Sequence, residues 1–353
     1  MKIAVDAMGG DFAPQEIVKG TLEAAKVYPQ LNLILVGDQE KIKSVLSGEQ
    51  LPANVSIVHA SEVVEMDEHP ANAVRKKKDS SIVIATKLVK EKQADAVVSA
   101  GSTGAQMAAA LLGLGRIKGV DRPAIATVLP TLKGGKLMLD VGANPDAAPE
   151  HLLQYALMGS IYAEKILGLK NPRVGLLNIG AEETKGNQLT QSTYPLLKNA
   201  PINFVGNIEG RYVPYGQADV VVCEGFVGNV MLKTMEGLGG VLFQVIKEKI
   251  TSTTVRKLGA AAIKPGLKEV AQMMDYAEYG GAPLLGVNGI SIICHGSSKA
   301  RAIVSAIRVA QECVHAQFIE KIRDDLKLLQ ESSGEEDKET KREKVTDTEK
   351  TKE

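Results

Sequence analysis

The stretch ISIICHGSSKARAI, residues 290–303, begins as an apolar run and then sets His295, Gly296, Ser297, Ser298 and Lys299 side by side where a helical pattern starts. An imidazole titrates near neutrality and can move a proton. Hydroxyls, a lysine and a glycine at the start of a helix can hold an anion. The junction therefore suits nucleophilic catalysis or the cradling of a phosphate. Three other junctions share its make-up. VVSAGSTGA (97–105) carries Gly101, Ser102, Thr103 and Gly104. LLNIGAEETKGN (176–187) carries Asn178 and Lys185. VVVCEGFVGN (220–229) ends on Asn229.

Gly and Ser at such turns often serve only the turn and the helix cap. His295 also reads as a core or capping histidine, and Lys185 as a surface lysine. Four junctions of one design weigh toward function. In a parallel sheet they share the carboxyl edge, where open α/β folds bind ligands.

Nucleophilic catalysis fits poorly. HGSS is not Gly-x-Ser-x-Gly, so Ser297 lies on no recognisable nucleophile elbow. Cys294 adjoins His295, but neighbours in a strand face opposite ways, and Cys294 reads as a small core residue. AMGGDFAP (7–14) lacks Gly-x-Gly-x-x-Gly, and GSTGA lacks the Gly-Lys-Ser/Thr of a Walker loop. The sequence has neither Cys-x-x-Cys nor His-Glu-x-x-His. No metal or other cofactor is expected. What remains is rich in donors: Lys185, Asn229, His295, Lys299, Ser102 and Thr103. Such a set holds an anion and stabilises developing negative charge. If phosphate itself attacks, the protein supplies position and electrostatics but no nucleophile.

The elements that must position these residues follow from the pattern. Ten apolar runs alternate with helical patterns, and several are apolar without alternation, as strands buried on both faces are. A mostly parallel sheet with helices on both faces is expected. With 353 residues the chain can bury a sizeable core. Residues 1–330 read as one catalytic α/β domain. Within it, 230–279 has no strand signal and reads as a protruding hairpin: one long helix, a loop over 251–266, then a second helix from Leu267. The first helix carries Val230, Met231, Met235, Leu238, Val241, Leu242, Val245 and Ile246, an apolar face broad enough to need a partner. A homodimer through a four-helix bundle follows. Residues 331–353 mix both charges with almost no apolar residue and read as a disordered tail.

Composition excludes other classes. The 42 basic and 42 acidic residues cancel, and only 4% of residues are aromatic, so nucleic acid is not a partner. The chain has no run of about 18 apolar residues and no signal-peptide core, so a cytoplasmic protein is expected. Three widely spaced cysteines fit a reducing compartment. The segment 255–268, VRKLGAAAIKPGLK, sets Leu258 and Ile263 among Arg256, Lys257, Lys264 and Lys268. Apolar residues flanked by cations suit a shallow anchor on an anionic membrane surface. The alternatives are contact with an acyl chain or a protein partner.

AVDAMGGDFAP, EHPANAVRKKKDSSI (68–82), SAGSTGA, LLNIGAEETKGN, CEGFVGNVMLK and YGGAPLLGVNGISIICHGSS, in this order and spacing, resemble the PlsX family of phosphate acyltransferases over roughly residues 1–329. The resemblance implies a three-layer α/β/α fold similar to phosphotransacetylases and isopropylmalate dehydrogenases, and a homodimer. It implies transfer of a fatty acyl group from acyl-carrier protein to inorganic phosphate. The acyl phosphate would feed a membrane glycerol-3-phosphate acyltransferase in phospholipid synthesis. Lys185, Asn229 and His295 become the catalytic candidates, with interchangeable roles as phosphate contact, oxyanion donor and acid. Asp6, Gly9, Gly10, Gly101, Ser102, Thr103, Gly104, Asn178, Gly296, Ser297, Ser298 and Lys299 become substrate-binding candidates. Arg75, Lys76, Lys77 and Lys78 offer either a dock for an acidic carrier protein or a solvated basic turn. Other readings are an acyl-CoA phosphotransacylase and, on a related fold, a metal- and NAD-dependent decarboxylating dehydrogenase. The last would need an aspartate cluster, for which Asp140 and Asp146 are the nearest candidates.

Overall fold

Short Val-, Ile- and Leu-rich runs separated by amphipathic segments fold as strand and helix in turn. The computed structural model describes residues 1–273 and 279–326. In chain order the elements are β1 (Lys2–Asp6), α1 (Gln15–Val27), β2 (Asn32–Gly37), α2 (Gln39–Leu46), β3 (Val55–His59), α3 (Pro70–Lys76), α4 (Ser81–Lys90), β4 (Ala96–Ser99) and α5 (Thr103–Gly113). There follow β5 (Ala124–Leu129), β6 (Lys136–Leu139), α6 (Pro149–Lys165), β7 (Arg173–Asn178), α7 (Gln188–Asn199), β8 (Asn203–Glu209), a 3-10 turn (Gly210–Tyr215) and β9 (Val220–Val222). The last are α8 (Gly225–Ile250), α9 (Thr254–Met273), β10 (Ala282–Leu285), β11 (Ile290–Ile293) and α10 (Ala300–His315).

All eleven strands form one sheet in the order β3-β2-β1-β4-β11-β10-β5-β6-β9-β7-β8. Alternate residues of a strand face opposite helical layers. Ile3 and Val5 of β1 join a core with α1, α6 and α10. Ala4 between them joins another with α3, α4 and α5. Three layers result, as expected.

The ten apolar runs all contain strands. The eleventh strand, β10, is four residues long with Pro283 inside it, and carries too little pattern to be read from sequence. It changes the geometry. β10 runs antiparallel to both β11 and β5, and β5 runs antiparallel to β6. All other pairs are parallel. Hence β6, β9, β7 and β8 point opposite to β1, β4 and β11. The four glycine-rich junctions therefore do not share one edge: those after β4 and β11 lie at one, those after β7 and β9 at the other.

The hairpin also differs from expectation. Its turn is short, and α9 begins at Thr254, so the apolar and basic segment 255–268 is helical rather than a loop. The run GAAAI explains this, because alanine is the best helix former. The remainder of the expected second helix, 274–278, and the acidic–basic tail 331–353 lie outside the described residues. Leu238, Val241, Leu258 and Ile263 are all exposed. Among the described residues no helix is long and apolar enough to cross a membrane.

Candidate active site

Three loops meet at the carboxyl end of β1, β4 and β11. The Asp11 N–H donates to the Gly296 carbonyl at 2.8 Å. Gly10 adopts φ +110°, and a Cβ there would lie 3.0 Å from the Ala100 carbonyl oxygen. A Cβ at Gly9 would come within 2.7 Å of the Gly101 nitrogen. Glycine at both positions lets the loops close on one another. Asp6 sits beneath them, accepting from Ser99 Oγ at 2.7 Å and from the Met8 N–H at 3.2 Å. Burial pushes its carboxyl up, against the pull of these hydrogen bonds. The void beside it, lined by Ser81, Ser99 and Ser102, measures about 10 Å³, room for one water. Asp6, Gly9 and Gly10 are thus engaged in holding the loops together.

Helix N-termini attract anions, and most of those at the four junctions are already occupied. At α10, Glu16 Oε2 accepts from the Ala300 N–H at 2.9 Å. At α8, the Glu224 carboxylate accepts from the Val227 N–H at 2.9 Å and also from Phe226. At α7, Asn187 accepts from the Thr190 N–H at 3.0 Å. At α5 the Ser102 hydroxyl accepts from Ala105 at a long 3.4 Å, and the first turn has no acidic residue.

The α5 N-terminus opens, through Thr103 and Gly104, into a cavity of about 620 Å³. His295, Cys294, Ser298 and Asn229 line the same cavity. Its remaining wall is largely apolar: Met107 of α5, Val128 and Leu129 of β5, and Leu232, Met235 and Phe243 of α8. That volume is ordinary for a site taking a small organic ligand. The cavity crosses the sheet face, so residues from opposite edges line it.

Local contacts fix each polar group. His295 Nδ1 lies 2.7 Å from Ser297 Oγ and accepts from the Ser297 N–H at 3.2 Å. In the neutral ring that partner places the proton on Nε2. Ser298 is buried and donates its N–H to the His295 carbonyl at 2.9 Å. Cys294 is buried, and burial pushes its thiol up to about 12, so it stays protonated as a core residue. Asn229, in the first turns of α8, is exposed and lies beside Gly142, while Gly228 before it packs on Asp140. A Cβ at Gly142 would lie 2.9 Å from Asn229 Nδ2, and one at Gly228 would collide with the Asp140 carbonyl. Asp140 organises this corner. Its carboxylate accepts from the N–H groups of Ile125 (3.0 Å), Ala143 (3.0 Å) and Asn144 (2.7 Å) and from Asn144 Nδ2 (3.0 Å). Burial pushes the Asp140 carboxyl up, and these bonds oppose it. So committed, Asp140 makes a poor metal ligand, and Asp146 is exposed.

Asn178, the last residue of β7, and Lys185, on the loop after it, stand apart, and neither lines the cavity. Asn178 spends its amide on that loop, donating to the Lys185 carbonyl at 3.1 Å and accepting from the Ile179 N–H at 2.8 Å. Asn207 donates to the Glu182 carbonyl at 2.8 Å, and Gln191 to the Thr184 carbonyl at 2.8 Å. Lys185 is exposed on a loop held by three amides. Lys299 is also exposed, its Nζ 5.5 Å from the Phe12 ring centroid. Of the basic run, Lys77 pairs with Glu68 at 2.6 Å, while Arg75, Lys76 and Lys78 are exposed.

Glu16 and Glu224 gave no functional signal in the sequence, since an isolated carboxylate looks like any other surface acid, and Asp140 was read only as a candidate metal ligand. Leu232, Met235 and Phe243 recur at helical spacing, but periodicity alone cannot tell a cavity wall from a dimer face.

The family model "Fatty acid synthesis protein" matches residues 1–321. A phosphate acyltransferase of Desulfitobacterium hafniense (strain DSM 10664 / DCB-2) is 74% identical over 327 residues, covering 92% of this chain and 98% of the relative. One of Pelotomaculum thermopropionicum is 60% identical over 330 residues, 94% and 96% of the two chains. Among solved structures, a phosphotransacetylase from Streptococcus pyogenes superposes with a TM-score of 0.60 at 19% identity, over 91% of this chain and 94% of that one. A branched-chain phosphotransacylase from Enterococcus faecalis V583 gives 0.54 at 16% identity, over 89% and 100%. At such identities the structures establish the fold alone.

Proposed function

Because the chain belongs to the PlsX family of phosphate acyltransferases, we propose that it transfers a fatty acyl group from acyl-carrier protein to inorganic phosphate. The observation that carries this reading is the single cavity joining an uncharged, open helix N-terminus to a long apolar wall. An anion and an acyl chain are what such a cavity takes.

Phosphate sits at the α5 N-terminus against Ser102, Thr103 and Gly104. One of its oxygens attacks the thioester carbonyl carbon. The new C–O bond forms as the carbonyl becomes an oxyanion, for which Asn229 is the donor. Collapse breaks the C–S bond, and the departing phosphopantetheine sulfur takes up the proton that the attacking hydrogen phosphate gives up, carried by His295 as a transient imidazolium that returns to the neutral ring. The products are acyl phosphate and free carrier protein. Lys185 and the exposed Arg75, Lys76 and Lys78 meet the acidic carrier outside the cavity.

The protein works as a homodimer through α8 and α9. The exposed Leu258 and Ile263 of α9, among basic residues, hold it on the inner face of the cell membrane. There its labile, greasy product meets the membrane glycerol-3-phosphate acyltransferase that begins phospholipid synthesis. Catalytic machinery is confined to residues 1–330, and the tail beyond takes no part.

Purified protein is mixed with acyl-carrier-protein thioester and phosphate, and acyl phosphate is trapped with hydroxylamine. Phosphate-dependent acyl hydroxamate is the expected product. Product from an acyl-CoA thioester alone shifts the donor to CoA, and product from neither ends the acyl-transfer reading.

A further inference from the structure

Most glycines that line the cavity are required by a close neighbour. A Cβ would lie 2.6 Å from Pro70 Cγ at Gly104, 2.9 Å from Asn229 Nδ2 at Gly142, 2.6 Å from Val309 Cγ2 at Gly280 and 2.5 Å from Ile292 Cγ2 at Gly281. Gly240 differs. Among the described residues, and outside its own helix, nothing lies within 4 Å of the Cβ it lacks. Yet it sits inside α8, where glycine is unfavourable relative to alanine. The chain's own packing gives no reason for that choice.

Its position on the cavity wall supplies one. Glu236 lies one turn before it and Phe243 follows three residues later, both facing the cavity. At about 100° per residue, a side chain at 240 would leave α8 within about 40° of Glu236 and about 60° of Phe243, at the edge of the face that lines the cavity. We infer that Gly240 sets acyl chain length: the missing side chain keeps the groove under α8 open, so that a long, unbranched acyl chain can pass it. This rests on the acyl-transfer reading above. A chain that fills the groove must pass Gly240, whereas one half as long need not. Leucine there would start in open space, with nothing within 4 Å of its Cβ outside its own helix.

The test compares wild type, Gly240→Leu, Gly240→Ala and Gly237→Leu. Gly237 lies in the same helix with equally open surroundings, but does not line the cavity. Each protein is assayed with octanoyl- and hexadecanoyl-carrier protein plus phosphate, and checked for melting temperature and size in solution. Gly240→Leu is expected to lower the hexadecanoyl-to-octanoyl ratio of kcat/KM by at least about tenfold, the scale of a blocked apolar subsite. Gly240→Ala should move it less, in the same direction, which preserves the test if the leucine variant fails to fold. Gly237→Leu should keep the wild-type ratio. An unchanged ratio in folded Gly240 variants overturns the inference, as does an equal change in Gly237→Leu. So does a Gly240 variant that alters only the oligomeric state, since a second copy would then be what fills the space. If wild type turns over neither thioester, the acyl-transfer reading itself fails.

Discussion

Glu16 reaches across 284 residues of sequence to accept a hydrogen bond from the Ala300 N–H at 2.9 Å, closing the N-terminus of α10 with a carboxylate. Glu224 does the same for α8. Of the two helices that follow β4 and β11, α10 thus carries a carboxylate on its first turn, whereas α5 carries only the neutral Ser102 cap.

An aspartate at position 102 should therefore separate folding from phosphate binding. Aspartate caps a helix about as well as serine, so Ser102→Asp should keep its melting temperature. Its negative charge would repel the acceptor, and KM for phosphate should rise at least about tenfold, the scale of losing one charge-assisted contact. Glu16→Gln should leave that KM alone. Steady-state kinetics with varied phosphate decides it; an unchanged KM in Ser102→Asp moves the anion site elsewhere.

His295 is exposed, so its removal should cost little stability. His295→Ala is expected to lower kcat at least about tenfold, or about 1.4 kcal/mol of barrier, without shifting thermal unfolding. A variant whose melting point falls while turnover holds would make His295 a structural residue.

Asp219 carries a different expectation, about stability. It accepts from the buried Lys136 at 2.7 Å and from Arg173 Nε at 3.0 Å. Burial would raise its pKa, but the hydrogen bonds of Arg173 and Lys136 win and hold it well below the ordinary carboxylate range. A depressed folded-state pKa means that its stabilisation is complete above the unfolded value, about 3.9, and is lost as pH falls below that. Asp219→Asn should destabilise by about 3–5 kcal/mol at neutral pH, because it strands the Lys136 ammonium. Denaturant unfolding at several pH values should show this gap constant down to about pH 4 and closing below it. A gap that persists unchanged into strong acid contradicts the ion-pair account.

The hairpin should do two separable things. Leu238 and Val241 of α8 are 67% and 60% exposed, and Leu258 of α9 is 71% exposed. Light scattering at micromolar concentration should give a dimer. Anionic vesicles at low salt should co-sediment the protein, and Leu258→Glu with Ile263→Glu should abolish this while soluble activity remains. A monomer refutes the first, and failure of wild type to sediment refutes the second.

The strands were legible in the sequence where both faces are buried, as in β1, β4 and β9. Burial on two sides writes an unbroken apolar run. β10 was not, because four residues with a proline carry too little periodicity. That omission reversed half the sheet and put the junctions after β7 and β9, with Lys185, Asn178 and Asn229, on the edge opposite to the one expected. His295, Ser298, Thr103, Gly104 and Asn229, which line the cavity, were named through residue type at strand–helix junctions. The carboxylates of Glu16 and Asp140 were not, because their roles depend on partners distant in sequence. The segment 251–266 was read as a loop, whereas the alanines within it decided for helix from Thr254.

Helix α8 is a wall with two sides. Leu232, Met235 and Phe243 face the cavity, while Leu238, Val241 and Leu242 on its outer surface are exposed. Among its described residues only Gly225 and Gly228, in its first turn, are buried. Met231, Leu232 and Met235 pack the turns that follow against the core; beyond them the placement of the helix is shared between whatever fills the cavity and whatever covers the outside. Two binding events that order the same element are thermodynamically linked. Any covering partner that tightens ligand binding by some factor must itself be bound tighter by that same factor when the ligand is present.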